Sequence, residues 1–488
     1  MANPADTDRF EQQRQEKLSQ IEAMGIDPYG SRYDEVEPAA SAKSRYQEGD
    51  ENQRAQCAGR IVLLRDIGKL IFITLRDRSG TIQIGLSKSL LTDQWPLAKL
   101  LDIGDIIGAS GKLGKTKTGE ITIWVEEGGL KFLSKCLIQP PEKFHGLADV
   151  DQRYRQRYVD LWANPEVLER FKKRSEIVAT IRRFLFSKGF LEVETPMMQT
   201  IAGGAAAKPF ITHHNALDLD LYLRISPELF LKRLLVGGME RVFEINRNFR
   251  NEGLSRHHNP EFTMMELYQA YADYRVMMDI TEEIVWACIE TLGLGTKAQF
   301  ENVEIDLSRP WRRAKYADLL KEHSGCDIDD IAALRAKARE LKIDDAGLDD
   351  AVVVNEVFET TVEDKLIAPT FVIDYPAILC PLAKRSRTDP RYAERFELFV
   401  VGMELANAYT ELNDPAVQYE NFLHQLRGQD ESLTKMDTDY VTALKYAMPP
   451  AGGLGIGIDR LVMVLTSATT IRDVILFPLL KPLGPENK

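Results

Sequence analysis

The sequence predicts an α+β protein in two parts: a small N-terminal β-barrel, then a larger region in which strands and helices are interspersed. Three observations carry that expectation. At 488 residues the chain is long for one domain. From Cys57 to Ile138 it reads as about five short strands, separated by turn residues such as Ser79-Gly80 and Ser110-Gly111. From Val167 onward helical periodicity alternates with period-two segments, and no internal repeat is visible. The expected division is a helical arm and linker over 1–56, the barrel over 57–138, a linker over 139–165 and a second domain over 166–488.

Composition narrows the class. Hydrophobic residues make up 44% and charged residues 28%, as in ordinary soluble proteins. The five cysteines are scattered without a C-x-x-C pair, which supports neither a zinc knuckle nor a disulfide framework and fits a reducing cytoplasm. The start, MANPADTDRFEQQRQEK, lacks the apolar core of a signal peptide. No apolar run reaches about 18 residues, so no membrane partner is expected. A net charge of −12 argues against indiscriminate coating of nucleic acid but leaves room for a local basic patch.

Taken in order, residues 8–24 form a charged helix with Leu18, Ile21 and Met24 on one side and Gly25 as its stop. It reads as a solvated arm or a packing helix. The strands that follow suit an oligonucleotide-binding (OB) barrel, which reads single strands with aromatic platforms and basic flanks. Phe72, with Arg65 and Gln83 nearby in the pattern, is a candidate platform; a core position is the competing reading. A helix over Val167–Lys188 ends at Gly189 and leads into the strand FLEVET, halted by Pro196. Ser226-Pro227 opens another helix with Glu228 in its first turn. A long helix is expected over Ala270–Gly293, and further helices between Trp311 and Leu366. Ile331, Leu334, Ala338 and Leu341 mark the buried face of one, capped by Asp329 or Asp330. Strands resume at FVIDY and FELFVVGMELANAYTELND, and a glycine-rich strand, GGLGIG, runs into an apolar helix.

Chemistry concentrates in Val242–Tyr268. The first strand turns Phe243, Ile245 and Phe249 one way and Glu244, Asn246, Asn248 and Arg250 the other. The loop Asn251–Pro260 gathers Glu252, Arg256, His257, His258 and Asn259, and the returning strand aligns Phe262, Met264, Glu266 and Tyr268. Such a loop suits a phosphate and an amine together. GGLGIG fails the dinucleotide fingerprint, because Ile458 stands where the third glycine belongs. Its glycines let a strand pass close beneath a ligand, with Asp459 as helix cap and Arg460 in the first turn. Arg250 and Arg460 are each placed to hold a phosphate oxygen, or else a structural salt bridge.

GFLEVETPMM (Gly189–Met198), FRNEG with RHHNPEF (Phe249–Phe262) and GGLGIGIDR (Gly452–Arg460) resemble the three signature motifs of class II aminoacyl-tRNA synthetases. An OB barrel ahead of them is what the aspartate, asparagine and lysine subgroup carries. KFHGLADVDQRYRQRYVDL, GGAAAKPFITHHNALDLDLYLRISPELFLKRL and ELANAYTELND resemble the lysine-specific members. The resemblance runs from about residue 8 to 482. It implies an antiparallel sheet flanked by helices, with the first motif at a homodimer interface. It implies ATP bound through Arg250, Glu252, His258, Asn259, Phe262 and Arg460, with Phe262 under the adenine. Glu397 and Glu404 would hold Mg²⁺. L-lysine would lie among Gly204, Glu228, Arg250, Glu266, Tyr268, Asn407, Tyr409 and Glu411. Phe72, Arg65 and Gln83 would meet the anticodon of tRNA(Lys). One departure concerns the residue before the His-Asn pair, where the family has Arg: His257 stands there and the arginine is Arg256, which leaves the contact to the outer phosphates open between the two.

The residues support this reading independently. Lysine carries two ammonium groups and one carboxylate, so its pocket needs net acid, which Glu228, Glu266 and Glu411 provide while Arg250 pairs with the carboxylate. An aspartate-type substrate would be repelled by that set. A catalytically dead, regulatory relative would be signalled by loss of Arg250, Glu252 or Arg460, and all three are present. Glu397 and Glu404 differ in parity on a straight strand, and a bulge near Gly402 is expected to reconcile them.

Overall fold

The computed structural model describes residues 4–141, 147–205, 207–426 and 436–483. Lys143–Gly146, which open one of the resembling stretches, and Ala206 lie outside the described residues. The chain divides into two compact units, Met1–Ala148 and Asp149–Lys488.

The first unit is a closed barrel of strands β1 (Arg54–Asp66), β2 (Leu70–Arg76), β3 (Thr81–Ser87), β4 (Ile106–Lys115) and β5 (Ile121–Ser134), in the order β1-β2-β3-β5-β4. Alternation builds it: Ile71, Ile73 and Leu75 on β2 and Ile82, Ile84 and Leu86 on β3 are buried, while the residues between Ile71 and Leu75 face outward. The parallel β3–β5 pair closes the cylinder and removes the free edges. The N-terminal helix covers Pro4–Ala23. Leu18 and Ile21 are buried as expected, but Met24 lies past the helix end and is exposed. The stretch read as a linker holds a short helix, Ala39–Ser44, whose Ala39 and Ala42 join Ile21 in the barrel's core.

The second unit is built on an eight-stranded sheet. In spatial order its strands are Arg312–Lys315, Thr370–Ile373, Arg395–Val400, Met403–Thr410, Ala451–Gly457, Glu261–Ala270, Arg241–Phe249 and Leu191–Glu192. The pairing is antiparallel through the centre and parallel at the two edges. Helices Pro165–Ser187, Tyr274–Leu292 and Ile458–Thr466 cover one face, burying Ile177, Ile181, Met277, Ile284, Leu461 and Val462 against Phe243, Met265, Leu267 and Ile456.

Several expectations shift in detail. The long helix begins at Tyr274, because Ala270 still belongs to a strand and Asp273 caps the amides of Arg275 and Val276. The FLEVET strand pairs only at Leu191 and Glu192. FELFVVGMELANAYT is a hairpin turning at Val401-Gly402, both at positive φ. The helix Ile331–Glu340 is capped by Asp330 and buries Leu334 and Ala338, with Ile331 and Leu341 half-buried beside them. Among the described residues no helix is long and apolar enough to cross a membrane, and all five cysteines are free.

Candidate functional site

A cavity of about 1160 Å³ opens against the bare face of the sheet. Glu266 and Tyr268 reach it from the hairpin's return strand, and Asn407, Tyr409 and Glu411 from the run on the other side of the glycine-rich strand Ala451–Gly457. Glu228 enters from the first turn of helix Glu228–Val236, beside Gly204, and Arg250 stands where its strand ends. The sequence-predicted lysine set is thus brought together in one place.

The floor of this cavity is acidic. Glu228, Glu266 and Glu411 are all buried. Ser226 Oγ donates to Glu266 Oε1 at 2.9 Å and the Tyr268 hydroxyl to Oε2 at 3.1 Å. The Tyr409 hydroxyl donates to Glu228 Oε2 at 2.6 Å. Lys232, one helical turn beyond Glu228 and fully buried, donates to Glu228 Oε1 at 2.5 Å and pairs with Glu411 Oε2. Among the described residues Glu411 Oε1 has no hydrogen-bond partner. Burial, reinforced by the charge of Glu228, pushes the Glu266 carboxyl up to about 7. Burial also drives Glu411 well above the carboxylate range, against the pull of Lys232. Three carboxyl groups face one internal ammonium, and the raised values of Glu266 and Glu411 mark a site where a further cation would favour their ionised forms. Gly453 forms the wall because a Cβ there would sit 1.9 Å from Glu411 Oε1 and 2.5 Å from the Tyr268 ring.

A smaller cleft of about 110 Å³ adjoins it, and Arg250, Glu404, Asn407 and Gly455 line both. Glu252, His257, His258, Asn259, Phe262 and Arg460 complete its walls, so the predicted nucleotide residues also converge. The Arg250 guanidinium lies 5.2 Å from the Phe262 ring centre, and among the described residues its buried Nε has no hydrogen-bond partner. Arg460 Nη1 donates to the Glu404 carbonyl at 2.8 Å, and Nη2 lies 2.9 Å from His258 Nε2. Since arginine only donates, Nε2 accepts and the His258 proton sits on Nδ1, directed at Ser255 Oγ 2.8 Å away. Burial first, then Arg460, lowers the His258 pKa and keeps that ring neutral. His257 lines the cleft, whereas exposed Arg256 is turned to Glu301 at 3.1 Å.

Asp459 does not cap its helix. It is buried, accepting from Arg174 Nη1 at 2.6 Å and from the Thr263 amide at 2.7 Å, and Gly457 holds the cap position. The contact ties the helix carrying Arg460 to the strand carrying Phe262 and Glu266.

Glu397 and Glu404 meet where the two cavities join. The expected bulge reconciles them, at Leu405 just past Gly402: Leu398 pairs with Ala406 and Phe399 with Glu404, so the extra residue Leu405 turns Glu404 onto the face of Glu397. Glu397 accepts from the Tyr375 hydroxyl at 2.6 Å and from Arg395 Nη2. Glu404 accepts from Asn407 Nδ2 at 3.2 Å and pairs with Arg460 at 3.3 Å. Burial raises the Glu397 pKa; at Glu404 burial is outweighed by Arg460 and Arg395, and its pKa falls. Among the described residues no three His, Cys, Asp or Glu side chains assemble a complete metal site. Two carboxylates beside a phosphate-sized cleft fit a hard cation that takes its remaining oxygens from a substrate.

In the barrel, Phe72 is half-buried on the outer face, which decides against the core reading. Exposed Arg65 stands directly across from it on β1, and Gln83 one step along on β3, accepting from Thr122 Oγ1 at 2.7 Å.

Comparison with known proteins accounts for both units. Residues 149–481 match the family described as tRNA synthetases class II (D, K and N), and residues 55–128 match the OB-fold nucleic acid binding domain. The chain belongs to the class II tRNA synthetases. A relative from Pelotomaculum thermopropionicum is 54% identical over 483 residues, covering 96% of this chain and 94% of the relative. One from Carboxydothermus hydrogenoformans is 54% identical over 478 residues, covering 96% and 97%, and one from Syntrophomonas wolfei 51% over 482 residues, covering 97% of each. All three relatives are named lysine–tRNA ligase.

Within this class II synthetase, sequence reasoning overlooked Lys232, Ser226, Tyr375 and Arg395. Lys232 carried a signal, its spacing of four from Glu228 on a helix. Arg395 carried one too, its period-two spacing from Glu397 on the same strand, whereas Tyr375 carried none, since it reaches Glu397 from outside that strand.

Proposed function

We propose that this chain is a lysine–tRNA ligase. It activates L-lysine with ATP, giving lysyl-adenylate and pyrophosphate, and then transfers lysine to the 3′ end of tRNA(Lys). The observation that carries the reading is the buried carboxylate set Glu228, Glu266 and Glu411, with one Glu411 oxygen unpartnered, beside the cleft lined by Arg250 and Arg460. A ligand ammonium supplies the charge this set lacks, and an aspartate side chain would meet repulsion instead.

The lysine carboxylate lies toward Arg250, at the boundary of the two cavities. One of its oxygens attacks the α-phosphorus of ATP, the bond from that phosphorus to the bridging oxygen breaks, and pyrophosphate leaves. No side chain needs to act as covalent nucleophile. Arg250 takes the α-phosphate and the substrate carboxylate, Arg460 the outer phosphates with His257, and Phe262 the adenine, while Glu252, His258 and Asn259 line the nucleotide. Glu397 and Glu404 would hold Mg²⁺, which neutralises phosphate charge when bound. A terminal ribose hydroxyl of tRNA then attacks the lysyl carbonyl carbon and AMP departs.

Phe72, flanked by Arg65 and Gln83, takes an anticodon base. The enzyme acts as a homodimer through the first motif, where Leu191 is 55% exposed on an edge strand and Met198 57% nearby. Its free cysteines fit the cytoplasm. Lysine-dependent exchange of pyrophosphate into ATP without tRNA tests the reading. Exchange with lysine and none with aspartate is expected; equal exchange with both overturns it.

A further inference from the structure

The barrel's outer face carries more than the three residues assigned to the anticodon. Cross-strand register sets Arg65 opposite Phe72, Phe72 opposite Gly85, Gly85 opposite Trp124, and Trp124 opposite Lys112. Cross-strand partners share a face, so these residues form one transverse row over all five strands. On the closed barrel this row curves with the strands, so that Arg65 lies beside Phe72 and Lys112 beside Trp124.

Trp124 is not packed inward. Its neighbours Ile123 and Val125 fill the core, and the indole lies half-buried on the outside. It rests on glycine: a Cβ at Gly85 would come within 2.6 Å of its Cε3, and one at Gly114 within 3.1 Å of its Cδ1. The Phe72 ring meets it edge to face, with centroids 5.8 Å apart and planes at 70°. Among the described residues its indole N–H has no hydrogen-bond partner. Arg65 and Lys112, at the two ends of the row, are exposed and unpaired among the described residues, whereas nearby Arg54 is tied to Glu126 at 2.6 Å. In a chain of net charge −12, two free cations bracketing two aromatic rings select a ligand that is both anionic and flat-faced.

We propose that Trp124 is a second base platform and Lys112 a phosphate contact, so that the row holds two neighbouring nucleotides of single-stranded RNA. This rests on the anticodon reading of Phe72 and extends it to a residue pair on the far side of Gly85. The glycine is what permits the two rings to meet, since any side chain there would displace the indole.

The test uses the full-length protein and a labelled anticodon stem-loop of tRNA(Lys). Trp124→Leu is expected to weaken binding about 5- to 100-fold and to abolish the quenching of tryptophan fluorescence that RNA causes in the wild type. Lysine-dependent pyrophosphate exchange stays unchanged. Lys112→Glu, an exposed change that leaves the packing intact, weakens binding and lowers the salt dependence by about one phosphate contact. If Phe72→Ala weakens binding while Trp124→Leu and Lys112→Glu stay within about twofold, the second platform is wrong and the anticodon reading stands. If Phe72→Ala binds as well as wild type, the anticodon reading falls and the second platform with it.

Discussion

The acidic cavity and the outer face of the barrel treat charge in opposite ways. In the cavity, carboxyl groups are buried, held by Ser226, Tyr268, Tyr409 and Lys232, and outnumber the ammonium that faces them. On the barrel, Arg65 and Lys112 stand in solvent and carry no fixed partner among the described residues. Burial makes each charge in the cavity expensive to leave unpaired, so a small ligand lacking the matching ammonium is rejected strongly. Exposed cations discriminate little one by one, and a polymer is held by several modest contacts together. Single changes in the cavity should therefore be near-fatal to activation, and single changes on the barrel graded.

The largest effect is expected at Arg250, which serves both cavities. Arg250→Gln should lower pyrophosphate exchange about 10³-fold, while the affinity of the anticodon stem-loop is unmoved. A parallel loss of RNA affinity would erase the distinction between the two regions. Glu411→Gln comes next, with KM for lysine up about 100-fold in the exchange assay. Only a small rise there would mean that the unpartnered oxygen is not where the substrate ammonium sits. Phe72→Ala should raise KM for tRNA about 5- to 100-fold and leave exchange near normal. If exchange fell with it, Phe72 would be supporting the fold rather than reading RNA.

What was legible in the sequence follows the same divide. Period-two alternation placed Phe262, Met264, Glu266 and Tyr268 on one face, and the sheet keeps them there. The barrel strands were readable because Ile71, Ile73 and Leu75 point inward without interruption. Contacts that cross between distant segments left no local trace. Asp459 looked like a helix cap because the tie to Arg174 spans most of the domain. The parity mismatch of Glu397 and Glu404 did leave a local trace, and the bulge it called for near Gly402 lies at Leu405, in the second strand of a hairpin. Trp124 went unremarked because only the register sets it beside Phe72.

The smallest effect expected sharpens the comparison by pH, since only the buried region carries a carboxyl displaced into the physiological range. Glu266 titrates at about 7 in the folded protein against a reference of 4.5. A raised folded value means that its contribution to stability is complete below the unfolded pKa and is lost as pH rises through about 7. Lysine binding runs the other way, because an ammonium favours the ionised carboxyl and its uptake releases a proton. KM for lysine should therefore rise about tenfold as pH falls from about 8 to about 6. Glu266→Gln removes the titrating group, so its KM should be higher throughout and flat over the same range. Binding of the anticodon stem-loop, which relies on Arg65 and Lys112, should not change between those pH values, as neither cation titrates there. A wild-type KM that stayed level from pH 8 to pH 6 would show that Glu266 does not face the substrate ammonium, and would shift that role to Glu228 and Glu411 alone.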